Sequence, residues 1–289
     1  MKTNFHTHTK WCDGRNTPEE MILAAIGKGF DRLGFSSHAS LPEDGDSVMT
    51  PGTELGYAQE IRALAEKYRG RIEIYLGIEA DYIPGVTAPE RERYAHVAPQ
   101  YMIGSIHYVI AEDGGRVPVD HTPQLLADGI RDHFGGSAES FVRAYFRQER
   151  DMAAKFDFDV VGHPDLVRKF NVKTPYFDES AEWYLEELRL TADAIAASGK
   201  MTEVTTGAIS RGWLDDAYPS ASFRSLLRER GVKFILSADA HACDALDCAF
   251  DRFSSAEAYV DLPFRRSGPP ARRTVPVDTK GTQAAAVLV

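Results

Sequence analysis

Cysteine is scarce: the 289 residues contain three, Cys12, Cys243 and Cys248. An odd number cannot all pair within one chain, and a disulfide-stapled fold of this length would need more, so free thiols in a reducing compartment, the cytoplasm, are expected. No run approaches the roughly 18 apolar residues of a membrane span. The opening Met1-Lys2-Thr3-Asn4-Phe5-His6 lacks the apolar stretch of a secretory leader, so no membrane partner is expected. Positive charge is short as well. Against 43 Asp and Glu stand 33 Lys and Arg, a formal charge of −10, which opposes capture of nucleic acid and leaves a small molecule as the expected partner. No Gly-rich phosphate loop of the GxGxxG or GxxxxGKS/T kind follows a candidate strand, and no repeat of fixed period is present, so nucleotide folds and solenoids lose support.

What is present is an ordinary globular composition, 43% hydrophobic and 26% charged, able to bury a large core. Short apolar, β-branched runs at 3–8, 32–37, 72–80, 101–108, 159–162, 201–206 and 233–237 read as strands. Between them, amphipathic stretches at 18–29, 56–68, 88–96, 123–134, 138–156, 178–198 and 220–230 read as helices, several opened by Ser, Thr or Asp. Such alternation predicts an α/β protein with a parallel sheet, either an open doubly wound sheet or a closed barrel. Residues 1–266 are expected to form it. From Ser267 the chain turns Gly- and Pro-rich and then Ala-rich, so 267–289 is expected to be a loosely ordered tail.

Histidines and acids fall at the ends of these strands. His6 and His8 end the first, His38 the second, Glu79 with Asp81 the third, His107 the fourth, His163 the fifth, Glu203 the sixth, and Asp239 with His241 the seventh. Residues i and i+2 of a strand share a face, so His6 with His8, and Asp239 with His241, can each offer two groups to one centre. In parallel βα folds the C-terminal strand ends meet at one face, where sites are built. A lone buried histidine is ordinarily a hydrogen-bonded core residue; common placement is what makes these a candidate metal cluster. Asp13, in an Asp-Gly turn, is read as both turn and ligand. Burying Glu79 after the apolar Ile74–Ile78 run would be costly without a cation, although Asp81 is the alternative carboxylate there. His96, His121 and His133 lack a strand-end position and stay outside the set.

The ordered motifs HTHT (6–9), CDG (12–14), SSHA (36–39), GIEADY (77–82), GSIHY (104–108), GHPDL (162–166) and SADAH (237–241) resemble the PHP (polymerase and histidinol phosphatase) superfamily over residues 3 to about 245. Within it, GHPDLVRKF (162–170) and TEVTTGAISRGWLDDAYPS (202–220) look like the monofunctional L-histidinol-phosphate phosphatases of histidine biosynthesis. The resemblance implies a distorted (β/α)7 barrel, a TIM-like PHP fold, with three divalent metal ions at its C-terminal face. It implies that His6, His8, Glu79 and Asp239 hold one ion, Glu79, His107 and His163 a second, and Asp13, His38 and His241 a third. Thr205 departs from the family, which usually carries Asn there.

Mixed imidazole and carboxylate donors suit Zn, Mn or Fe. The implied reaction is hydrolysis of a phosphate monoester by a metal-bridging hydroxide, with Glu79 bridging and Asp13 and His241 beside the leaving group. Arg168 and Arg211, just past strand ends, are candidate phosphate-binding residues; each is otherwise a solvated loop arginine. Another phosphate ester, or a noncatalytic partner-binding module, are the competing functions.

Overall fold

The computed structural model describes residues 1–41 and 48–264, so the expected tail at 267–289 lies outside the described residues. Among the described residues nine strands are present: β1 (Thr3–Asn4), β2 (Arg32–Phe35), β3 (Glu73–Asp81), β4 (Tyr101–Ser105), β5 (Tyr108–Ile110), β6 (Arg116–Pro118), β7 (Val160–Val161), β8 (Met201–Thr205) and β9 (Phe234–Ser237). Seven form one parallel sheet in the order β1-β2-β3-β4-β7-β8-β9. Past the ends of β1 and β9 the sheet closes on itself: the Ala240 N–H donates to the His6 carbonyl at 3.0 Å, and the His8 N–H to the Ala240 carbonyl at 2.8 Å. The result is a distorted (β/α)7 barrel.

The helices are α1 (Pro18–Gly27), α2 (Glu54–Lys67), α3 (Pro123–His133), α4 (Ala138–Lys155), α5 (Glu182–Ser198), α6 (Gly207–Ser210), α7 (Ala221–Glu229) and α8 (Phe250–Phe253). Local chemistry starts them: Thr17 and Glu20 form a reciprocal capping box on α1 with Pro18 in its first turn, and Ser137 caps α4. Their apolar faces cover the outside of the sheet. Among the described residues no helix is long and apolar enough to cross a membrane.

Two expectations need correction. The stretch 88–96 is not a helix but a chain of tight turns, with Tyr94 N–H bonded to the Arg91 carbonyl and Val97 N–H to that of Tyr94. Pro89 lies within it and Pro99 just beyond it; neither can donate a backbone hydrogen bond, and each disfavours α geometry in the residue before it. The strand expected at 101–108 ends at Ser105, and Tyr108 starts an antiparallel hairpin of β5 and β6. Asp113-Gly114-Gly115 supplies its turn, with Gly114 at φ 84°.

Side-chain alternation fixes what enters the barrel. Tyr75, Gly77, Glu79 and Asp81 share one face of β3, as Tyr101, Ile103 and Ser105 do on β4. Low in the barrel Phe5, Tyr101, Ile103, Val160, Met201, Ile235 and Leu262 form one apolar cluster. Tyr101 crosses the interior and donates its hydroxyl to the carbonyls of Phe5 (2.8 Å) or Phe35 (3.1 Å). Only glycine at 34 and 77 leaves room for it, since a Cβ there would sit 2.4 and 2.2 Å from Tyr101 atoms. Phe264 stacks on Tyr75 at 3.6 Å and closes this end.

Candidate metal centre

Above the apolar layer the same strands turn polar. Glu79, one residue pair higher than Gly77 on β3, is buried, and five imidazoles surround its carboxylate. Its Oε2 lies 3.1 Å from His6 Nε2, 3.3 Å from His8 Nε2 and 3.1 Å from His38 Nδ1. Its Oε1 lies 3.0 Å from His163 Nε2 and 3.5 Å from His107 Nε2, and accepts from the Ser105 hydroxyl at 2.6 Å. Asp239 joins from β9's end, with Oδ1 3.2 Å from His8 Nε2 and 3.6 Å from His6 Nε2. At the rim, Asp13 lies 3.1 Å from His241 Nε2, 3.6 Å from His8 Nδ1 and 3.9 Å from His38 Nε2.

The backbone is bent to achieve this. On β7, Val160 and Gly162 face inward, so alternation would turn His163 out; its φ of 25° brings it back. Asp239 has φ 47°. Left-handed non-glycine backbone is uncommon and collects at functional sites. The ladder of β1 likewise breaks after Asn4, which lets Phe5 and His6 both enter the interior. The 9–14 loop folds onto His8, with Thr9 accepting from Cys12 and Gly14 N–H groups at 2.9 and 3.0 Å. A Cβ at Gly14 would stand 2.4 Å from the Thr9 nitrogen, so glycine is needed for Asp13 to reach the rim.

A second layer orients the rings. His6 Nδ1 lies 2.9 Å from Glu203 Oε2, and His107 Nδ1 2.7 Å from Asp81 Oδ1. Each Nδ1–H donates to its carboxylate, so each Nε2 presents a lone pair inward, the carboxylate–histidine arrangement of metal sites. Glu203 and Asp81 were visible as strand-end acids, but orienting roles require seeing which ring each faces. Asp81 is therefore the partner of His107, and Glu79 the central carboxylate.

Charge completes the argument. Burial opposes protonation of His6, yet Glu203, Glu79 and Asp239 raise its pKa to about 10. Burial likewise opposes protonation of His107, but Asp81 and Glu79 lift it to about 10. His38, more burdened by burial and by neighbouring His8 than helped by Glu79, falls to about 4. Glu79 and Asp239 stay well below the usual carboxylate range despite burial, Glu79 through His6, His38 and His107, Asp239 through Arg211 and His6. The ensemble thus demands added positive charge. His6 Nε2, His8 Nε2 and Glu79 Oε2 are buried without a hydrogen-bond partner although they face one another. Divalent cations that displace the ring protons would supply that charge and take the lone pairs facing one another here.

Four groups of donors lie close enough to share an ion: His8, Asp13, His38 and His241; His6, Glu79 and His163; His6, His8 and Asp239; and His38, Glu79 and His107. All nine ligand candidates fall in this constellation. The partition differs from the one the resemblance implies in that His8 also reaches the Asp13 group and Glu79 separates His6/His163 from His38/His107.

The centre forms the floor of a cavity of about 460 Å³, ample for a small molecule. Arg211 lines it, its guanidinium paired with Asp239 and 3.1 Å from His241 Nδ1. Arg168 does not reach the cavity wall. Its Nε donates to Glu179 at 2.7 Å and its Nη1 lies 3.5 Å from Asp165, because the 3-10 turn Leu166–Arg168 points it behind His163. Lys169 lines the wall in its place, with Asp120, His121 and Leu125. No strand-end signal marked these. His96 and His133 lie elsewhere, against Glu54 and Asp113.

Residues 4–207 match the model of the PHP domain. The "Probable histidinol-phosphatase" of Deinococcus radiodurans is 30% identical, over 82% of this chain and 85% of that protein. The "Histidinol-phosphatase" of Bacillus subtilis is 24% identical, over 88% of this chain and 98% of its own. A histidinol phosphate phosphatase from Lactococcus lactis, crystallised with zinc, L-histidinol and phosphate, shares the fold with a TM-score of 0.63 at 19% identity, covering 90% of this chain and 95% of that one.

Proposed function

This chain belongs to the PHP domain family, and from that membership we propose that it is a metal-dependent phosphomonoesterase hydrolysing L-histidinol phosphate to L-histidinol and phosphate. One observation carries the reading: a buried carboxylate, Glu79, faced by five imidazole nitrogens at 3.0–3.5 Å on the floor of a cavity that an arginine also lines. The names of the relatives supply the substrate, and the Lactococcus lactis structure contains both products of this hydrolysis.

Three divalent ions, of Zn, Mn or Fe, would be held by His6, His8, Asp13, His38, Glu79, His107, His163, Asp239 and His241, Glu79 being common to two of the donor groups. When bound, such ions bring the pKa of a water toward neutrality and clamp phosphoryl oxygens through in-line displacement. The chain's own groups do the rest. Arg211 orients the phosphoryl group by its planar guanidinium, and Asp13 with His241, through the cation they would hold at the rim, would place positive charge beside the departing alkoxide. The three cysteines are free thiols, which suits a cytoplasmic biosynthetic step.

Phosphate release from L-histidinol phosphate, by Mn- or Zn-loaded protein beside a chelated control and a panel of sugar phosphates and nucleotides, tests this. Metal-dependent release selective for histidinol phosphate is expected. Selectivity for another panel member would replace the substrate and keep the metal chemistry, and no release with metals bound would favour a noncatalytic module.

A further inference from the structure

Four carboxylates line the cavity: Asp13, Asp81, Asp120 and Asp239. Three are committed to the imidazole cluster. Asp13 faces His241, Asp239 is shared by Arg211 and the histidines, and Asp81 holds His107 through both its ring and its backbone N–H. Asp120 differs. Its partner is Lys169, whose ammonium donates to Asp120 Oδ2 at 2.9 Å and to its carbonyl at 2.8 Å. Oδ1 of Asp120 has no hydrogen-bond partner among the described residues, and it is not among the sealed-off buried atoms. A carboxylate has acceptor capacity on both oxygens, so one pinned through Oδ2 still offers Oδ1 to a second cation.

Position fits that use. Asp120 is near enough to the ligand side of the cavity that its charge acts on His107. Lys169, which is buried, holds Asp120 by one hydrogen bond to its carboxylate and one to its backbone carbonyl, so little side-chain freedom is left to lose when a ligand arrives. The substrate read above, on which this inference rests, carries an ammonium on the carbon next to the phosphoester carbon. With the phosphate at the cavity floor, that ammonium would lie within the same cavity, whose wall includes Asp120. We propose that Asp120, held by Lys169, is the counter-ion for the substrate's ammonium and selects amine-bearing phosphomonoesters over neutral ones such as sugar phosphates.

The test compares two substrates on the metal-loaded protein: L-histidinol phosphate and its des-amino analogue, 3-(imidazol-4-yl)propyl phosphate. A charge-assisted hydrogen bond is worth about 10- to 100-fold, so the wild-type ratio of kcat/KM should favour the amine by that factor and Asp120→Asn should collapse it toward unity. Calorimetry gives a second readout: L-histidinol should bind the wild type about 10-fold or more tightly than 4-(3-hydroxypropyl)imidazole, with the difference lost in Asp120→Asn. If Asp120→Asn lowers both substrates equally while wild type turns over histidinol phosphate, Asp120 is merely structural and the proposal is overturned alone. Should the variant not fold, a wild type indifferent to the amine overturns it equally well. Wild type that ignores histidinol phosphate and cleaves sugar phosphates overturns the functional reading and this inference together.

Discussion

The two halves of the barrel interior are built by the same strands and differ in what burial does to them. In the lower half, Tyr75, Tyr101, Ile103, Met201 and Ile235 meet as rings and aliphatic chains, with Gly77 leaving room for Tyr101. Two residues further along the same strand faces stand Glu79, Ser105, Glu203 and Ser237, and beyond them the imidazoles. Burial stabilises the first layer by removing apolar surface from water, whereas the second costs free energy unless cations offset its carboxylates. The lower half therefore carries the fold, and the upper half is held in place by it. The pair Glu79 and Glu149 repeats the contrast. Both are buried, but Glu79 among imidazoles is held ionised, while burial pushes Glu149, whose nearest partner is the Tyr145 hydroxyl at 3.0 Å, well above the usual carboxylate range.

Exchanging a function between the halves gives the largest effects. Glu79→Gln should lower phosphate release at least about 10³-fold and deplete bound metal, measured by elemental analysis, while unfolding stays cooperative. Retained metal and turnover would show that Asp239 and the imidazoles suffice. Tyr101→Ala should do the reverse, costing about 3–5 kcal/mol in denaturant unfolding while kcat per folded molecule holds. A loss of metal at constant stability would erase the distinction between the halves.

Smaller changes sharpen it. Glu203→Gln leaves the fold but loosens His6, so metal affinity should weaken about 10- to 100-fold in chelator competition. Glu149 binds a proton in the folded chain that the unfolded chain loses above the ordinary glutamate pKa, so its contribution to stability falls as pH rises through that region. Glu149→Gln should therefore gain stability relative to wild type from pH 5 to pH 8, by up to about 1.4 kcal/mol per pH unit. A gain independent of pH would mean that Glu149 is ionised. His133→Ala, at an exposed pair with Asp113, should change both stability and turnover within about 0.5 kcal/mol.

The centre's inventory was legible because strand ends are local features. Apolar runs of period two ending in His, Glu or Asp mark both the strand and the group at its tip, and all nine candidate ligands were found in that way or in the Asp13 turn. The failures share a cause as well. The stretch 88–96 had helical spacing but a proline within it and another just beyond, and the β5–β6 hairpin, marked by Asp113-Gly114-Gly115, lay unassigned past Tyr108, which was placed at the end of the preceding strand.

By itself, then, the sequence determined the seven parallel strands, the polar character of their C-terminal ends and the family, since each depends on residues within one strand or on motif order. Tertiary structure alone decided that Glu79 and not Asp81 is central, that Glu203 and Asp81 orient His6 and His107, and that Arg168 turns to Glu179 while Lys169 and Asp120 face the cavity. These depend on closure of the barrel and on the course of loops between strands. A strand's period sets which face a side chain takes, but only the assembled sheet sets what it meets across the barrel.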